Sequence, residues 1–146
     1  MGFGPGWLGF RAAGAWVAVI QLEGPGWRLA WREVGGPSGE HPFAVLIGGQ
    51  GWAVELTTAE AQALANLTLD LIAEHQALVD QLLAEEAISL ELERGPWWLA
   101  LEGDRRQWSL KGVLSPEAGQ RALEVSWSVE ASGALCQALQ RLGGQP

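Results

Sequence analysis

The stretch IGGQGWAVELTTAE, Ile47 to Glu60, changes from a strand pattern to a helix pattern within one short segment. After its glycine-rich turn, residues 52–56 alternate between large apolar residues and small or charged ones, which is typical of a half-buried strand. Thr57 and Glu60 then have the spacing of a capping box, in which each side chain accepts a hydrogen bond from the backbone N–H of the other residue. The sequence therefore predicts a strand that ends at Leu56 and a helix that begins directly after Thr57.

The composition is that of one acidic globular domain. The chain has 146 residues, of which 48% are hydrophobic, and this is enough for a substantial core. The formal net charge is −8 and the isoelectric point is about 4.6. General binders of nucleic acids or anionic membranes neutralise phosphates with Lys and Arg, so this charge balance disfavours both classes.

Period-two patterns and glycine or proline turns divide the rest of the chain into strands and helices. The predicted strands are WRLAWR (27–32), FAVLI (43–47), WAVEL (52–56), AISLELE (87–93), WWLALEG (97–103), RQWSLKGVL (106–114) and RALEVSW (121–127). With one helix after the third strand and one after the seventh, the order is β-β-β-α then β-β-β-β-α. This pseudo-repeat predicts an α+β fold with antiparallel sheets and two helices.

The first predicted helix, residues 58–85, has two apolar rows. They consist of Leu64, Leu67, Leu71, Leu78 and Leu82, and of Ala65, Leu69, Ile72, Val79 and Leu83. Together they are wider than one sheet contact needs, and the helix would be on the order of 40 Å long. We expect its far end to extend beyond the domain and to meet a partner. The second predicted helix spans residues 129–142.

The first twenty residues differ from the remainder in composition, since they carry one charge and are rich in glycine. A secretory signal would need a more basic start and a small-x-small cleavage site, and the apolar run is too short to span a bilayer. We expect residues 1–20 to be an extension outside the domain, produced by a start assigned too early, with Val17 or Val19 as the true initiator. The predicted single domain is then residues 21–146.

Candidate catalytic and ligand residues are few. Cys136 is the only cysteine, which excludes an intramolecular disulfide and indicates a reducing, cytoplasmic compartment. It lies in an apolar helical pattern and is interpreted as a buried structural thiol. His41 is expected to be solvated in a loop, and His75 to be buried and hydrogen-bonded in the long helix. The sequence thus predicts no catalytic residue, no metal site and no cofactor.

Two further motifs have an ordinary structural explanation. The glycines of IGGQG precede a strand, whereas phosphate-binding glycines open a helix, so nucleotide binding is not indicated. The acidic residues Glu85, Glu86, Glu91 and Glu93 could form a divalent-cation site or a solvated acidic face, and the solvated face is the favoured alternative.

Tryptophan is the unusual component, with nine residues, most of them on predicted strands. Trp97 and Trp98 are adjacent and must face opposite sides of a sheet. The nearby basic residues Arg105, Arg106 and Lys111 form the only dense basic cluster. Aromatic rings beside cations on a sheet are typical of single-strand binders. The alternative is that the rings belong to the core or to a protein interface. The candidate binding surface comprises Trp97, Trp98, Trp108, Arg105, Arg106 and Lys111.

Four segments resemble, in order and spacing, a small cyanobacterial family of unknown function. They are EGPGWRLAW, IGGQGWAVELTTAE, LLAEEAISLELE and WWLALEG, and the resemblance covers residues 23–142. It implies a Whirly-like fold, similar to that of single-stranded-DNA-binding transcriptional regulators. It implies no catalytic residues, and similarity of fold does not establish function.

Two functional classes follow. The favoured class is a non-enzymatic cytoplasmic interaction protein, an assembly or regulatory factor in a photosynthetic cell, with a protein partner, no nucleic acid and no membrane; a homodimer is left open. The alternative class is a single-stranded nucleic-acid-binding regulator that uses the sheet tryptophans and the Arg105, Arg106 and Lys111 patch. An enzyme is least favoured, because the sequence contains no recognisable pair of nucleophile and base.

Overall fold

Two antiparallel sheets and two helices form the protein, in a computed structural model that describes residues 5–12, 15–35, 43–116 and 121–143. The first-half elements are β1 (Pro5–Ala12), β2 (Ala15–Gly24), β3 (Trp27–Gly35), β4 (Val45–Gly49), β5 (Trp52–Leu56) and α1 (Thr58–Leu78), followed by a 3₁₀ turn (Val79–Gln81). The second-half elements are β6 (Ile88–Arg94), β7 (Trp97–Gly103), β8 (Trp108–Leu114), β9 (Leu123–Trp127) and α2 (Val129–Gly143).

Each sheet is a simple meander in which every strand pairs with its neighbours in the chain. The first sheet has the order β1-β2-β3-β4-β5 and the second has the order β6-β7-β8-β9, with antiparallel pairing throughout. A helix follows each sheet. The predicted α+β class with antiparallel sheets and two helices is therefore confirmed.

The first sheet has two more strands than the sequence predicts. They lie in residues 5–24, and β2 pairs with β3 so that Ile20 faces Trp31 and Leu22 faces Leu29. The run AWVAVI is apolar at nearly every position, so it lacks the alternation that identifies a half-buried strand. Residues 15–20 thus belong to a sheet, although the sequence predicts an extension there. Residues 1–4, 13 and 14 lie outside the described part of the chain. The domain boundary stays a prediction.

The core lies between the inner faces of the sheets and the helices. Its central side chains come from β3, β4, β7 and β8 and from both helices, and α1 packs against α2. The fully buried leucines and isoleucine include Leu22, Leu29, Ile47, Leu64, Leu71, Leu99, Leu101, Leu110, Leu135 and Leu139. Burial of this apolar surface, at about 25 cal/mol per Å², is the main stabilising contribution to the fold.

The junction at Thr57 is formed as predicted. The Thr57 hydroxyl accepts from the Glu60 N–H at 3.1 Å, and Glu60 Oε1 accepts from the Thr57 N–H at 2.9 Å. The backbone of Thr57 is extended, with φ −70° and ψ 160°, so the chain leaves β5 and enters α1 at this residue. The capping box therefore fixes the end of the first sheet against the start of the helix.

Helix α1 is shorter than the predicted span of residues 58–85. It ends at Leu78, the chain tightens into a 3₁₀ turn, and Leu82 returns to an extended conformation. Its length is therefore about 31 Å. Residues 79–85 include no glycine or proline and continue the apolar rows, so the sequence contains no signal for this end. The second apolar row is divided: Ala65 and Ile72 belong to or pack against the core, whereas Leu69 is 47% exposed and Leu83, beyond the helix, is 74% exposed.

Candidate interaction surface on the second sheet

The adjacent tryptophans of β7 do face opposite sides of the second sheet. Trp97 belongs to the inner face and is 1% exposed, and its Nε1 donates to the backbone carbonyl oxygen of Glu60 at 2.9 Å. Its assignment to an exposed binding surface is therefore wrong, because its ring fills the core where β7 meets the start of α1. Trp98 belongs to the outer face and is partly exposed.

Trp108, the third predicted ring, also belongs to the inner face. It pairs with Gly103, and its ring lies edge-on to His75, with the ring centroids 6.3 Å apart. His75 is buried, and its Nε2 donates to the backbone carbonyl oxygen of Asp104 at 2.8 Å. The prediction of a buried, hydrogen-bonded His75 is confirmed, whereas His41 lies outside the described residues. Trp108 and Trp98 therefore do not share a face.

Arg105 and Arg106 lie in the tight turn between β7 and β8. The Asp104 carboxylate orders this turn by accepting from the backbone N–H groups of Arg106 at 2.8 Å and Gln107 at 3.0 Å. These hydrogen bonds hold the pKa of Asp104 below its usual value, and the bond from Gln107 contributes more than that from Arg106. Trp98 is near the opposite end of β7, about 17 Å away along the strand. The two arginines and the outward tryptophan thus do not form one patch.

Lys111 is on the outer face, but its ammonium group forms a salt bridge. Its Nζ lies 3.4 Å from Glu102 Oε1, and both side chains are half exposed. Register places Lys111 beside Ala100 and Ser126. Of the six residues predicted as a binding surface, only Trp98 and Lys111 therefore share the outer face of the second sheet.

The outer face around Trp98 is acidic. Register places Glu93, Trp98, Val113 and Glu124 in one row, Glu91, Ala100, Lys111 and Ser126 in the next, and Ser89, Glu102 and Ser109 in a third. Among these strand residues there are four glutamates and one lysine, so the formal charge of the face is −3. The prediction of a solvated acidic face at Glu91 and Glu93 agrees with their exposure, and the described residues include no group of three or more His, Cys, Asp or Glu arranged to hold a metal ion.

Trp98 is held by one of these carboxylates. Its Nε1 donates to Glu91 Oε1, on the neighbouring strand, at 2.9 Å. Ala100, opposite Glu91 in the register, is only 2% exposed although it belongs to the outer face. The side chains around Ala100 therefore cover this strip of the sheet, and the indole ring has a defined position with a carboxylate at its edge.

Strand β9 packs against the β4–β5 hairpin of the first sheet, and we call this junction of the two sheets the seam. The rings of Trp52 and Trp127 pack with centroids 5.3 Å apart, and Trp127 Nε1 donates to the backbone carbonyl oxygen of Gly48 at 2.9 Å. At the other end of the seam, Arg121 Nη2 donates to the backbone carbonyl oxygen of Glu55 at 3.0 Å. Side-chain bonds thus fix the sheets relative to each other.

Arg121 also connects the seam to the capping box. Its Nη2 lies 2.6 Å from Glu60 Oε1, and its guanidinium stacks 4.5 Å from the centre of the Phe43 ring. Burial raises the pKa of Glu60, but the hydrogen bonds from Arg121 and Thr57 outweigh it, so the pKa lies below the usual value. The carboxylate of Glu60 therefore stays charged and links the first helix to the start of β9.

A groove of about 440 Å³ lies beside the seam on the outer side of the second sheet. Trp98, Lys111, Val113, Glu124, Ser126 and, from the first sheet, Trp52 line it. Two indole rings, the Glu124 carboxylate and the Lys111 ammonium group therefore lie around one depression. Sequence reasoning missed Trp52 and Glu124 as members of this site. The register of β7, β8 and β9 places Glu124 in the row of Trp98, and the packing of β9 against the β4–β5 hairpin brings Trp52 to the groove.

A second depression, of about 340 Å³, lies on the outer face of the first sheet. Its lining includes Arg32, Glu55 and Phe43. Its lining holds one cation and one carboxylate, as does that of the groove beside the seam, but there Lys111 is paired with Glu102, whereas none of the described ion pairs involves Arg32. The groove beside the seam is the more distinctive of the two.

Comparison with known proteins places these features in a family. The model of a domain of unknown function, DUF1818, matches residues 22–142. The chain belongs to this family. A solved structure similar to this DUF1818 chain is that of a protein of unknown function from Prochlorococcus sp. NATL2A, which is described under a different family label, DUF155. It has 35% sequence identity and a TM-score of 0.75, and the match covers 85% of this chain and 98% of that one.

These comparisons confirm the cyanobacterial resemblance and give no activity. None of the curated proteins matches the DUF1818 chain. The Whirly-like fold implied by the resemblance stays a prediction, because neither the family model nor the solved structure is described in those terms. In the parts of the chain that the structure describes, no helix is long and apolar enough to cross a membrane.

Cys136 is buried and chemically protected. It is 1% exposed within α2, and burial raises the pKa of its thiol to about 12. The thiolate is the reactive form, so the native thiol is a poor nucleophile at neutral pH. The interpretation of Cys136 as a structural thiol is confirmed.

Proposed function

We propose that this DUF1818 protein is a non-enzymatic cytoplasmic interaction protein whose docking surface is the outer face of the second sheet. The observation that carries the proposal is the groove beside the seam, where Trp52 and Trp98 converge from different sheets. Tryptophan is enriched at protein interfaces and in their energetic hot spots, because its ring covers a large area with few rotatable bonds. An assembly or regulatory role in a photosynthetic cell fits the cyanobacterial origin of the similar solved structure.

The rigidity of the groove supports this role. Trp98 is anchored on Glu91, and Trp52 packs on Trp127, so a partner would meet rings that are already positioned. Preorganised contacts lower the entropic cost of association. Most of the remaining outward side chains are polar and exposed, as in the rim of an interface.

The same geometry gives less support to single-strand binding. The outer face has a formal charge of −3, and Lys111 is paired with Glu102. A strand of phosphates would approach three uncompensated carboxylates, while Arg105 and Arg106 lie at the far end of β7. Binding of nucleic acids depends on continuous positive charge beside the rings.

A photo-crosslinking experiment tests the proposed function. A photoreactive amino acid replaces Val113, a partly exposed residue in the row of Trp98, and a matched protein carries it at Gln137, an exposed position on α2. After irradiation in a lysate of cells that naturally contain the protein, we expect discrete protein adducts at position 113 and none of these at position 137. Equal adducts at both positions, or adducts only with nucleic acid, would contradict the proposal.

A further inference from the structure

We propose that the groove between Trp52 and Trp98 binds a basic, arginine-bearing segment of a partner protein. This inference rests on the proposed function and specifies the partner's chemistry. It begins with the lining of the groove, which includes two indole rings, one from each sheet. The face of an indole attracts a cation within about 6 Å of its centre, and arginine makes such contacts more often than lysine because its flat guanidinium also stacks.

Three carboxylates and Lys111 lie in or beside the groove, so its local formal charge is negative and complementary to a cation. Glu124 lines the groove, Glu93 is in the same row beside Trp98, and Glu91 accepts from the Trp98 indole. Within the described residues, none of these three carboxylates takes part in a salt bridge, whereas Lys111 is paired with Glu102. An arginine over either ring would therefore reach an unpaired carboxylate, and arginine–carboxylate pairs form two parallel hydrogen bonds.

The direction of the groove favours an extended segment. Its lining residues come from β7, β8, β9 and β5, so the groove crosses the strands of the second sheet from Trp98 towards Trp52 beyond the edge strand β9. An extended chain places alternate side chains on the same side, so two arginines separated by one residue would face the sheet together. One could stack on Trp98 and the next could approach Trp52, with Glu124 lying among the residues that line the groove.

The opposite side of the molecule lacks this combination. On the outer face of the first sheet, Arg28 and Arg32 accompany Glu23 and Glu55, so the formal charges cancel. The net charge of −8 would attract any cation from a distance, but of the two depressions described above the groove beside the seam is the one that combines unpaired carboxylates with two indole rings. Binding of a cation in the groove can therefore be distinguished from attraction by net charge, because only binding in the groove depends on particular residues.

The test uses labelled hexa-arginine, hexa-lysine and hexa-glutamate peptides with the full chain, and measures anisotropy at physiological salt. We expect hexa-arginine to bind more tightly than hexa-lysine and hexa-glutamate not to bind. The double variant Glu93→Lys with Glu124→Lys should weaken hexa-arginine binding by about tenfold or more, since opposite charges at an interface are replaced by like charges. A double variant Glu74→Lys with Glu85→Lys, both on exposed positions away from this face, is the control with the same net charge.

The control should retain binding within about twofold if the groove is the site. Equal losses in the two double variants would show attraction by net charge alone and would overturn the inference, as would absence of hexa-arginine binding or tighter binding of hexa-glutamate. Glu93→Gln with Glu124→Gln removes the charges at nearly constant size, so a loss of binding with an unchanged melting temperature supports the site even if the lysine variant folds poorly. Protein adducts at position 113 without any peptide binding would retain the proposed function and reject only a basic partner.

Discussion

Trp127 and Gly48 are joined by a hydrogen bond across the two sheets, from the indole Nε1 to the backbone carbonyl oxygen, over 2.9 Å and in a buried position. The residues are 79 positions apart in the sequence. Because no strand ladder connects the two sheets within the described residues, such side-chain bonds decide their relative position. The Trp127 bond therefore supports both the core and the groove beside the seam.

Replacing Trp127 with Phe should lower the free energy of unfolding by about 1–3 kcal/mol through the lost hydrogen bond, in addition to the loss of buried ring area. Urea unfolding followed by circular dichroism measures the change. Trp108→Phe is the matched control, because its ring is only partly buried and the same ring atoms are lost. Equal effects of the two substitutions would show that the Trp127 bond contributes nothing specific.

Replacing Thr57 with Ala should lower the free energy of unfolding by about 0.5–2 kcal/mol, because the Glu60 N–H loses its acceptor at the start of α1. Thr57→Ser keeps the hydroxyl oxygen and should stay close to the native protein. An alanine variant with the same urea midpoint as the native protein would refute the importance of this cap.

The charge of Glu60 should make the free energy of unfolding depend on pH. The pKa of Glu60 is lower in the folded protein than in the unfolded chain, where it is about 4.5. The stabilisation that its charge gives the folded protein is therefore complete above the unfolded value and is lost as the pH falls through the lower folded value. Glu60→Gln retains a side chain that can complete a capping box. We therefore expect the variant to be less stable than the native protein at neutral pH and the difference to shrink in acid. A difference independent of pH in urea titrations would contradict this interpretation.

Single-stranded DNA or RNA should bind no more tightly than about 10⁻⁵ M at physiological salt. Arg105, Arg106 and Lys111 could neutralise few phosphates, and the structure separates the two arginines from Trp98. Anisotropy with labelled oligonucleotides of mixed sequence, with tryptophan quenching as a second signal, measures the affinity. Submicromolar binding that Arg105→Glu abolishes would instead support the nucleic-acid alternative.

The sequence predicts local features well because they depend on neighbours in the chain. The capping box at Thr57 and Glu60, the strand β7 and the opposite orientation of Trp97 and Trp98 all follow from short spacings. Which ring is buried depends on where α1 packs, and this is a tertiary property. The end of α1 at Leu78 could not be predicted either, since helix-forming residues continue beyond it.

The candidate site could be predicted only in part for the same reason. Trp98 and Lys111 are two residues of one sheet face, and their alternation with inner residues is visible in the sequence. Trp52 joins them only because β9 packs against the β4–β5 hairpin, and no sequence pattern specifies how two separate sheets approach. The acidity of the face also depends on register, because Glu91, Glu93, Glu102 and Glu124 come from three different strands.

The meander order of both sheets has a consequence for how the chain folds. Every strand pairs with its immediate neighbour, so each sheet can form from contacts of short sequence separation, which close quickly and at low entropic cost. The contacts between the halves, such as those from Arg121 to Glu60 and from Trp127 to Gly48, span 61 and 79 residues. A break in the exposed turn at residues 84–87 would therefore interrupt no strand ladder, and two fragments separated there would each retain a complete sheet with its following helix.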